Sequence, residues 1–214
     1  MYSIEEVKTV LAQCGRIVQA HQQALTEIDS KTGDGDLGVS MVKGAHAIQE
    51  TITRYTAGDI GALLGQCGMD FNRAAPSTMG TLLGMGMASL GRLWRGKEAL
   101  TQEDLVMGAR DFVNAIARIG KAERGSKTIL DALYPFVDKL EDAYHTSGDF
   151  AASYQAALAE ARAGLEATKG MMAKVGRARW LGERAMDTYD GGAMLCVFVL
   201  EDLWAQAESE RRIP

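Results

Sequence analysis

Apolar residues recur every three or four positions along most of the chain, the spacing that places them on one face of an α-helix. The first of these stripes runs unbroken from Ile4 to Ile28 and predicts one helix of about seven turns. Further stripes follow, and Asp59 and Thr101 stand where N-cap residues are expected. No segment alternates apolar and polar residues as convincingly as a strand would. The pattern predicts an all-α protein of about eight helices that forms a single domain over residues 1–214.

Four polar, glycine-containing loops separate these helices, at residues 29–40, 76–80, 120–128 and 176–192. In a bundle of antiparallel helices, alternate loops lie at the same end. We therefore expect the four loops to converge on one site. The last of them leads into the final apolar helix, whose free backbone N–H groups and positive dipole end favour an anion.

The first loop carries the strongest candidate chemistry, because Asp29, Asp34 and Asp36 fall within eight residues. Glycines at 33, 35 and 38 make a regular helix unfavourable there and allow sharp turns. Three anions brought together repel one another unless a cation joins them. Mg²⁺ is the natural guest, since it prefers carboxylate oxygens and keeps positions for water or phosphate. The alternative is a solvated acidic turn between two helices.

Three better-known motifs fit less well. Residues 33–38 spell the glycine pattern of dinucleotide-binding proteins, but a long helical stripe and not a strand precedes them. An EF-hand counted from Asp34 needs a Glu at its twelfth position, where Ala45 stands. The P-loop-like stretch at 91–97 is followed by Glu98 and not by Ser or Thr, so we interpret it as a turn.

Composition limits the partners and the cellular compartment that we expect for the protein. A formal charge of −5 without a basic block argues against a nucleic-acid partner. The longest apolar run, residues 193–200, is too short to span a membrane, and the N-terminus lacks the pattern of a signal peptide. Three widely separated cysteines are typical of reduced thiols. We expect a cytoplasmic protein with no membrane or nucleic-acid partner.

The loops taken together resemble those of one known family. Residues 29–41 are similar to an aspartate followed by Gly-Asp-x-Asp-x-Gly-x-x-Met, and residues 120–128 to Gly-Lys-Ala-Glu-x-Gly-Asp-Lys-Thr. Residues 176–184 and 190–193 resemble Gly-Arg-Ala-x-x-Leu-Gly-Glu-Arg and Asp-Pro-Gly-Ala. These motifs occur in this order in the L subunit of dihydroxyacetone kinase, and the resemblance covers essentially the whole chain.

The resemblance implies a fold and a set of site residues. The fold is an antiparallel eight-helix barrel with a nucleotide, ADP or ATP, at one end. Asp29, Asp34 and Asp36 would hold two Mg²⁺ ions that bridge the nucleotide phosphates, and Arg177 would pair with phosphate as the catalytic residue. The positions implied for nucleotide binding are Leu37, Gly38, Ser40, Thr78, Met79, Gly80, Gly120, Ile129, Arg177, Asp190, Gly191 and Gly192.

The resemblance also implies an activity and partners. The family transfers a phosphoryl group to a short-chain ketone that is held on a partner K subunit. In its phosphotransferase-dependent version, ADP stays bound and is rephosphorylated by a phosphohistidine protein, the M subunit. A free-standing chain of 214 residues resembles that version. An ATP-dependent split kinase for another small ketose, and a noncatalytic nucleotide-binding regulatory module, are the alternatives.

The chain departs from the family pattern at several positions. Leu37 replaces a usual His, Ser40 a usual Asn, Ser126 a usual Asp and Gly191 a usual Pro. The loop at 76–80 reads Pro-Ser-Thr-Met-Gly where the family has Gly-Gly-Ala-Ser-Gly. The three aspartates are intact, so the expectation of nucleotide binding is firmer than any expectation about the ketone.

Overall fold

Helices make up about three quarters of the structure, a computed structural model that describes residues 1–56 and 58–211, with side chains inside the last helix described as far as residue 209. The α-helices of these residues are α1 (Ile4–Ala20), α2 (Gln22–Asp29), α3 (Leu37–Arg54), α4 (Ile60–Ala74), α5 (Thr78–Leu93), α6 (Gln102–Gly120), α7 (Leu130–Ser147), α8 (Phe150–Thr168) and α9 (Gly191–Arg211). A 3₁₀ segment, Arg177–Ala185, precedes α9. Two short strands, β1 (Tyr2–Ser3) and β2 (Ala99–Leu100), pair antiparallel.

The helices close into a ring. From α3 to α9 each helix packs on the next in chain order, α9 packs back on α1 and α2, and α1 packs on α3. Because α1 and α2 together form one broken helix, the ring has eight members, and the predicted all-α eight-helix barrel is confirmed. Apolar side chains from both halves of the ring fill its interior and supply the hydrophobic stabilisation of the fold. None of the helices described is both long and apolar enough to cross a bilayer.

The predicted single helix over residues 4–28 is wrong in one respect, because the chain breaks at His21. Its backbone leaves the helical conformation there, with φ −95° and ψ 7°. The imidazole stacks on Phe198 of α9 with ring centroids 4.0 Å apart, and its Nε2 lies 2.9 Å from Oδ2 of Asp202. These contacts with the last helix hold the break in place. Beyond it, α2 delivers the chain to Asp29.

The helix starts follow the predicted caps. The Asp59 carboxylate accepts the N–H of Ala62 at 2.8 Å at the start of α4. The Thr101 hydroxyl accepts the N–H of Asp104 at 3.1 Å at the start of α6, where the two residues form a capping box. Such caps satisfy backbone donors that the first helical turn leaves free. They therefore determine where the loops end and the helices begin.

Two short strands were not expected from the sequence. β1 and β2 pair Tyr2 with Leu100 and Ser3 with Ala99. A strand of two residues is too short to display a period-two pattern, which is why the sequence did not reveal it.

Glycines allow α4 and α5 to touch backbone to backbone. A Cβ built on Gly68 would lie 2.5 Å from the carbonyl oxygen of Gly84, and one built on Gly61 would lie 2.6 Å from that of Gly91. Larger residues at these positions would push the two helices apart. The glycines of α5 at 84 and 91 therefore serve helix packing.

Candidate functional site

The four polar loops meet at one end of the barrel, as predicted. They line an open cavity of about 250 Å³. Residues from each loop contribute, including Asp29, Thr78, Lys127 and Arg177. The cavity is the natural place for a bound small molecule, because loops carried by a rigid ring converge on it.

The acidic loop draws three carboxylates into a cluster. One oxygen from each of Asp29, Asp34 and Asp36 lies within 4.8 Å of the others. Gly33 makes this possible, since a Cβ at that position would lie 2.4 Å from Oδ1 of Asp29. Gly35 turns the chain with a φ of +74°, in the left-handed region that favours glycine. The glycines thus fold the loop back on Asp29.

The chemistry of this cluster fits Mg²⁺. The donors are three hard carboxylate oxygens, and their spacing approaches the roughly 4 Å that separates opposite ligands of one Mg²⁺ ion. The N–H of Leu37 donates to Oδ2 of Asp29 at 3.2 Å, and the Ser40 hydroxyl donates to Oδ2 of Asp36 at 3.4 Å. Such bonds orient carboxylates toward an ion. Asp34 and Asp36 are exposed, which leaves room for water or phosphate beside the ion.

Arg177 closes the mouth of the cavity over the acidic loop. It begins the 3₁₀ segment Arg177–Ala185 and forms an ion pair with Asp34. The hydrogen bond from its guanidinium lowers the pKa of Asp34 below the ordinary value. The same segment carries Trp180, which is 77 % exposed and lies beneath the guanidinium of Arg179. An exposed cation therefore stands where a phosphate would approach the acidic loop.

Part of the cavity lining is apolar. It includes Met79, Leu82, Ile116, Ile129 and Leu130. The start of α9 lies close to Met79, since a Cβ on Gly192 would be 2.5 Å from the methyl carbon of Met79. The cavity lining therefore combines carboxylates with apolar side chains, and both kinds of surface suit a nucleotide.

Asp190 stands at the start of α9 and is half-buried. Its Oδ1 accepts the N–H of Ala193 at 2.8 Å, which caps the helix, and its own N–H donates to the Thr168 hydroxyl at 3.0 Å. Burial is the main cause that raises the pKa of Asp190 to about 7, with a smaller contribution from Asp131; Lys127 and the capping N–H groups oppose the rise. The carboxyl is thus a fixed part of the cavity wall.

Lys127 is a cavity residue to which the sequence assigned no role. It is 3 % exposed, and burial lowers the pKa of its ammonium group. Its Nζ donates to the carbonyl oxygens of Thr168 at 2.5 Å and Thr188 at 2.6 Å. The motif at 120–128 contained this lysine, but only the fold reveals that the side chain is buried. Thr32 is a second cavity residue that the sequence analysis missed.

The structure brings most of the predicted site residues together. Those that line the cavity are Asp29, Asp34, Asp36, Leu37, Thr78, Met79, Gly120, Ile129, Arg177, Asp190, Gly191 and Gly192. Gly38, Ser40 and Gly80 do not line the cavity, although each is adjacent in sequence, or within three residues, to one that does. A Cβ on Gly38 would lie 2.1 Å from the carbonyl oxygen of Gln22 in α2, and one on Gly80 would lie 1.9 Å from that of Ala75. These two glycines allow the loops to approach neighbouring backbone.

Solved structures define the class of fold. The dihydroxyacetone kinase of C. freundii in its native form matches 96% of this chain with a TM-score of 0.72 at 20% identity. The same kinase in complex with AMP-PNP and Mg²⁺ matches 94% of this chain with a TM-score of 0.69 at 23% identity. This chain spans 36% and 33% of those two chains. The fold is that of the helical part of a dihydroxyacetone kinase.

The family follows from the sequence comparisons. The chain belongs to the DAK2 domain family, whose model matches residues 31–205. The ADP-binding subunit DhaL of the PEP-dependent dihydroxyacetone kinase of Escherichia coli K12 is 30% identical over 193 residues, which are 90% of this chain and 92% of that protein. The D-erythrulose kinase of Mycolicibacterium smegmatis is 33% identical over 186 residues, which cover 85% of this chain but only 32% of that protein. The resemblance to the L subunit of dihydroxyacetone kinase is confirmed, and these relatives are all phosphotransferases.

Proposed function

We propose that this chain is the nucleotide-binding, phosphoryl-transferring subunit of a kinase for a short-chain ketose such as dihydroxyacetone. The observation that carries the proposal is the cluster of Asp29, Asp34 and Asp36, with carboxylate oxygens within 4.8 Å of one another, in a cavity that apolar side chains also line. A relative named as an ADP-binding subunit, matched over 92% of its length, supports the same conclusion.

The three aspartates would hold two Mg²⁺ ions. When bound, these ions neutralise the phosphate charge of the nucleotide. Arg177 is the proposed catalytic residue. Its guanidinium pairs with Asp34 and would exchange this partner for a phosphoryl oxygen, where it would stabilise the charge that develops during transfer. The pairing keeps the arginine at the mouth before a nucleotide binds.

Two helix starts would bind the phosphates. α3 begins at Leu37 and Gly38, and α9 begins at Gly191 and Gly192. The N–H of Leu37 donates to Asp29, so on the α3 side the proposal relies on the N–H of Gly38 and on the helix dipole. Helix N-termini attract anions through these donors and through the helix dipole. The hydroxyl of Ser40 would add one further donor on the α3 side.

The apolar end would receive the base. Met79 and Ile129 supply apolar surface, and Gly120 leaves space beside Leu82, to which a Cβ would approach within 3.3 Å. Thr78 would offer a hydroxyl at the cavity edge, and Gly80 keeps the start of α5 close to Ala75. We assign these residues to the nucleoside part of the site.

The phosphoryl acceptor would be a short-chain ketone on a K-type partner subunit, and the donor an M-type phosphohistidine protein that rephosphorylates bound ADP. The full-length match to a subunit of a PEP-dependent kinase supports this route. A second candidate is a split kinase that uses ATP for a tetrose ketone. The relatives named D-erythrulose kinase and L-erythrulose kinase, at 33% and 30% identity, favour it.

The nucleotide site is tested with Asp34→Asn. Removing one charge from the cluster should weaken binding of ADP in the presence of Mg²⁺ at least about tenfold, measured by titration calorimetry. Asp142→Asn is the matched control, because Asp142 is exposed toward the far end of α7. Unchanged affinity in Asp34→Asn would count decisively against the assignment.

The donor is tested on the purified wild-type protein. Mass analysis of nucleotide released on denaturation should find ADP, and bound ADP that does not exchange with free ATP supports the phosphohistidine route. Rapid exchange supports the ATP-dependent candidate. Adding a K-type subunit with each donor in turn, and measuring phosphorylated ketone, decides between the two routes. No product with either donor would contradict the kinase function.

A further inference from the structure

We propose that Lys127 is a positioning residue of the nucleotide site, which acts through Asp190 to hold the start of α9 against the cavity. This inference rests on the proposed function for the identity of the ligand. It concerns a buried side chain in the cavity lining that the proposed binding of phosphate and metal does not use. Four observations support it.

The backbone of Lys127 is held in an unfavourable conformation. Its φ is +58°, in the left-handed region that side chains other than glycine rarely adopt. Among the residues described, only Lys121 of the same loop shares this property without being a glycine. An energetic cost of this kind persists when surrounding contacts enforce the conformation, and such residues cluster at ligand sites.

The ammonium group joins two separate parts of the chain. Nζ donates to the carbonyl of Thr168, the last residue of α8, and to that of Thr188, two residues before Asp190. A cation suits the C-terminus of a helix, where free carbonyls and the negative dipole end lie. Lys127 therefore ties the 120–128 loop to the segment that leads into α9.

Thr168 extends this connection to Asp190. The threonine is fully buried, and its hydroxyl accepts the N–H of Asp190 at 3.0 Å while its carbonyl accepts from Lys127. Asp190 in turn caps α9 by accepting the N–H of Ala193. A chain of hydrogen bonds thus runs from Lys127 to the first turn of α9.

Charge completes the arrangement. Lys127 lies near Asp131 and Asp190, with which it interacts favourably. Asp131 is 3 % exposed and accepts the N–H groups of Gly125 and Thr128, so it orients the loop that carries the lysine. Lys127 is the cation that compensates these two carboxyls. Its removal would leave Asp190, at the start of α9, facing Asp131 without that compensation.

The test replaces Lys127 by Met, which keeps the stem and removes the charge and the donors. Affinity for ADP with Mg²⁺, measured by calorimetry, should fall about tenfold, as for residues that orient a binding group from behind. Lys121→Met is the matched control, because Lys121 shares the loop and the left-handed backbone but is exposed. Its affinity should stay within about twofold of wild type.

A double-mutant cycle separates positioning from a general loss of structure. If Lys127 acts through Asp190, Lys127→Met should cost less than about threefold in the background of Asp190→Asn. In the reconstituted kinase, Lys127→Met should keep most of the wild-type kcat at saturating nucleotide, while its KM for nucleotide rises. An equal cost in both backgrounds, or a fall in kcat alone, would overturn the proposal.

Thr168→Val covers the case in which Lys127→Met does not fold. It removes the hydroxyl that accepts the N–H of Asp190 and keeps the carbonyl that binds Lys127. The ADP affinity of this variant should fall at least about threefold. An affinity equal to that of wild type would overturn the proposal. Failure of the wild-type protein to bind ADP would instead contradict the proposed function, so the two failures are distinguishable.

Discussion

Two groups of aspartates lie at the same end of the barrel in opposite environments. At the mouth, Asp34 and Asp36 are exposed beside half-buried Asp29, and Asp34 pairs with the exposed Arg177. At the inner side of the cavity, Asp131 is buried and Asp190 is half-buried, and Lys127 lies near both. The first group has an excess of negative charge that an ion from solution can neutralise. The second carries its own cation and belongs to the framework.

The pKa values of Asp34 and Asp190 move in opposite directions. The guanidinium of Arg177 lowers the pKa of Asp34, whereas burial raises the pKa of Asp190 to about 7. A carboxyl group binds a metal ion in its ionised form. A carboxyl whose pKa is near 7 is only partly ionised at neutral pH and is therefore a poor metal ligand. Solvent exposure therefore determines whether an aspartate at this end of the barrel serves ligand binding or structure.

The largest expected effect is a pH dependence of stability that belongs to Asp190. Its pKa is about 7 in the folded protein, against an ordinary value of 3.8 that applies to the unfolded chain. Between these values the folded state binds more protons, so the stabilising contribution present at low pH is lost as the pH rises toward 7. The full shift corresponds to about 4 kcal/mol, which is an upper bound because the side chain is half-buried. Asp190→Asn should therefore gain free energy of unfolding relative to wild type between pH 4 and pH 8.

Urea unfolding of nucleotide-free protein across this pH range measures the difference between wild type and variant. Asn is also a favourable N-cap, so the capping bond to Ala193 is kept in large part. A difference that stays constant with pH would show that the Asp190 carboxyl ionises equally in both states.

The second prediction concerns Asp131, on the buried side of the comparison. Asp131→Ala leaves the N–H groups of Gly125 and Thr128 without their acceptor, and should lower the free energy of unfolding by about 2 kcal/mol. Urea unfolding at pH 7 measures the loss. Asp142→Ala, an exposed position on the same helix, should change stability by less than about 0.5 kcal/mol. Equal effects at both positions would contradict the framework role.

The smallest effect is expected at the mouth. Asp36→Asn should change stability by less than about 0.5 kcal/mol without divalent ions, because the side chain is exposed and the substitution relieves repulsion within the cluster. Addition of Mg²⁺ and ADP should then raise the melting temperature of wild type more than that of the variant. A large loss of stability in the ion-free variant would show that Asp36 belongs to the framework as well.

Periodicity and caps predicted the helices and the convergence of the loops, because both depend on local sequence. The break at His21 could not be predicted, since it is held by Phe198 and Asp202 from the other end of the chain. Burial of Lys127 depends in the same way on carbonyls at 168 and 188. Local sequence thus predicted where the candidate site would lie, whereas the burial of side chains around it depends on contacts between residues far apart in the chain.

Two departures from the family pattern meet in space. Leu37, in place of a usual His, lies against Gly191, in place of a usual Pro: a Cβ on Gly191 would be 3.0 Å from Cδ2 of Leu37. Their separation along the chain hides this contact from any reading of the sequence. The pair is explained by packing, because the small residue makes room for the branched one.

Trp180 provides an optical signal from the mouth of the cavity. Trp94 is 6 % exposed and shielded from solutes, whereas Trp180 is 77 % exposed, and Trp204 stacks on Tyr154. Acrylamide in the surrounding water therefore quenches the emission of Trp180 first. Any partner that covers the segment Arg177–Ala185 shields this indole, so association becomes visible without a label.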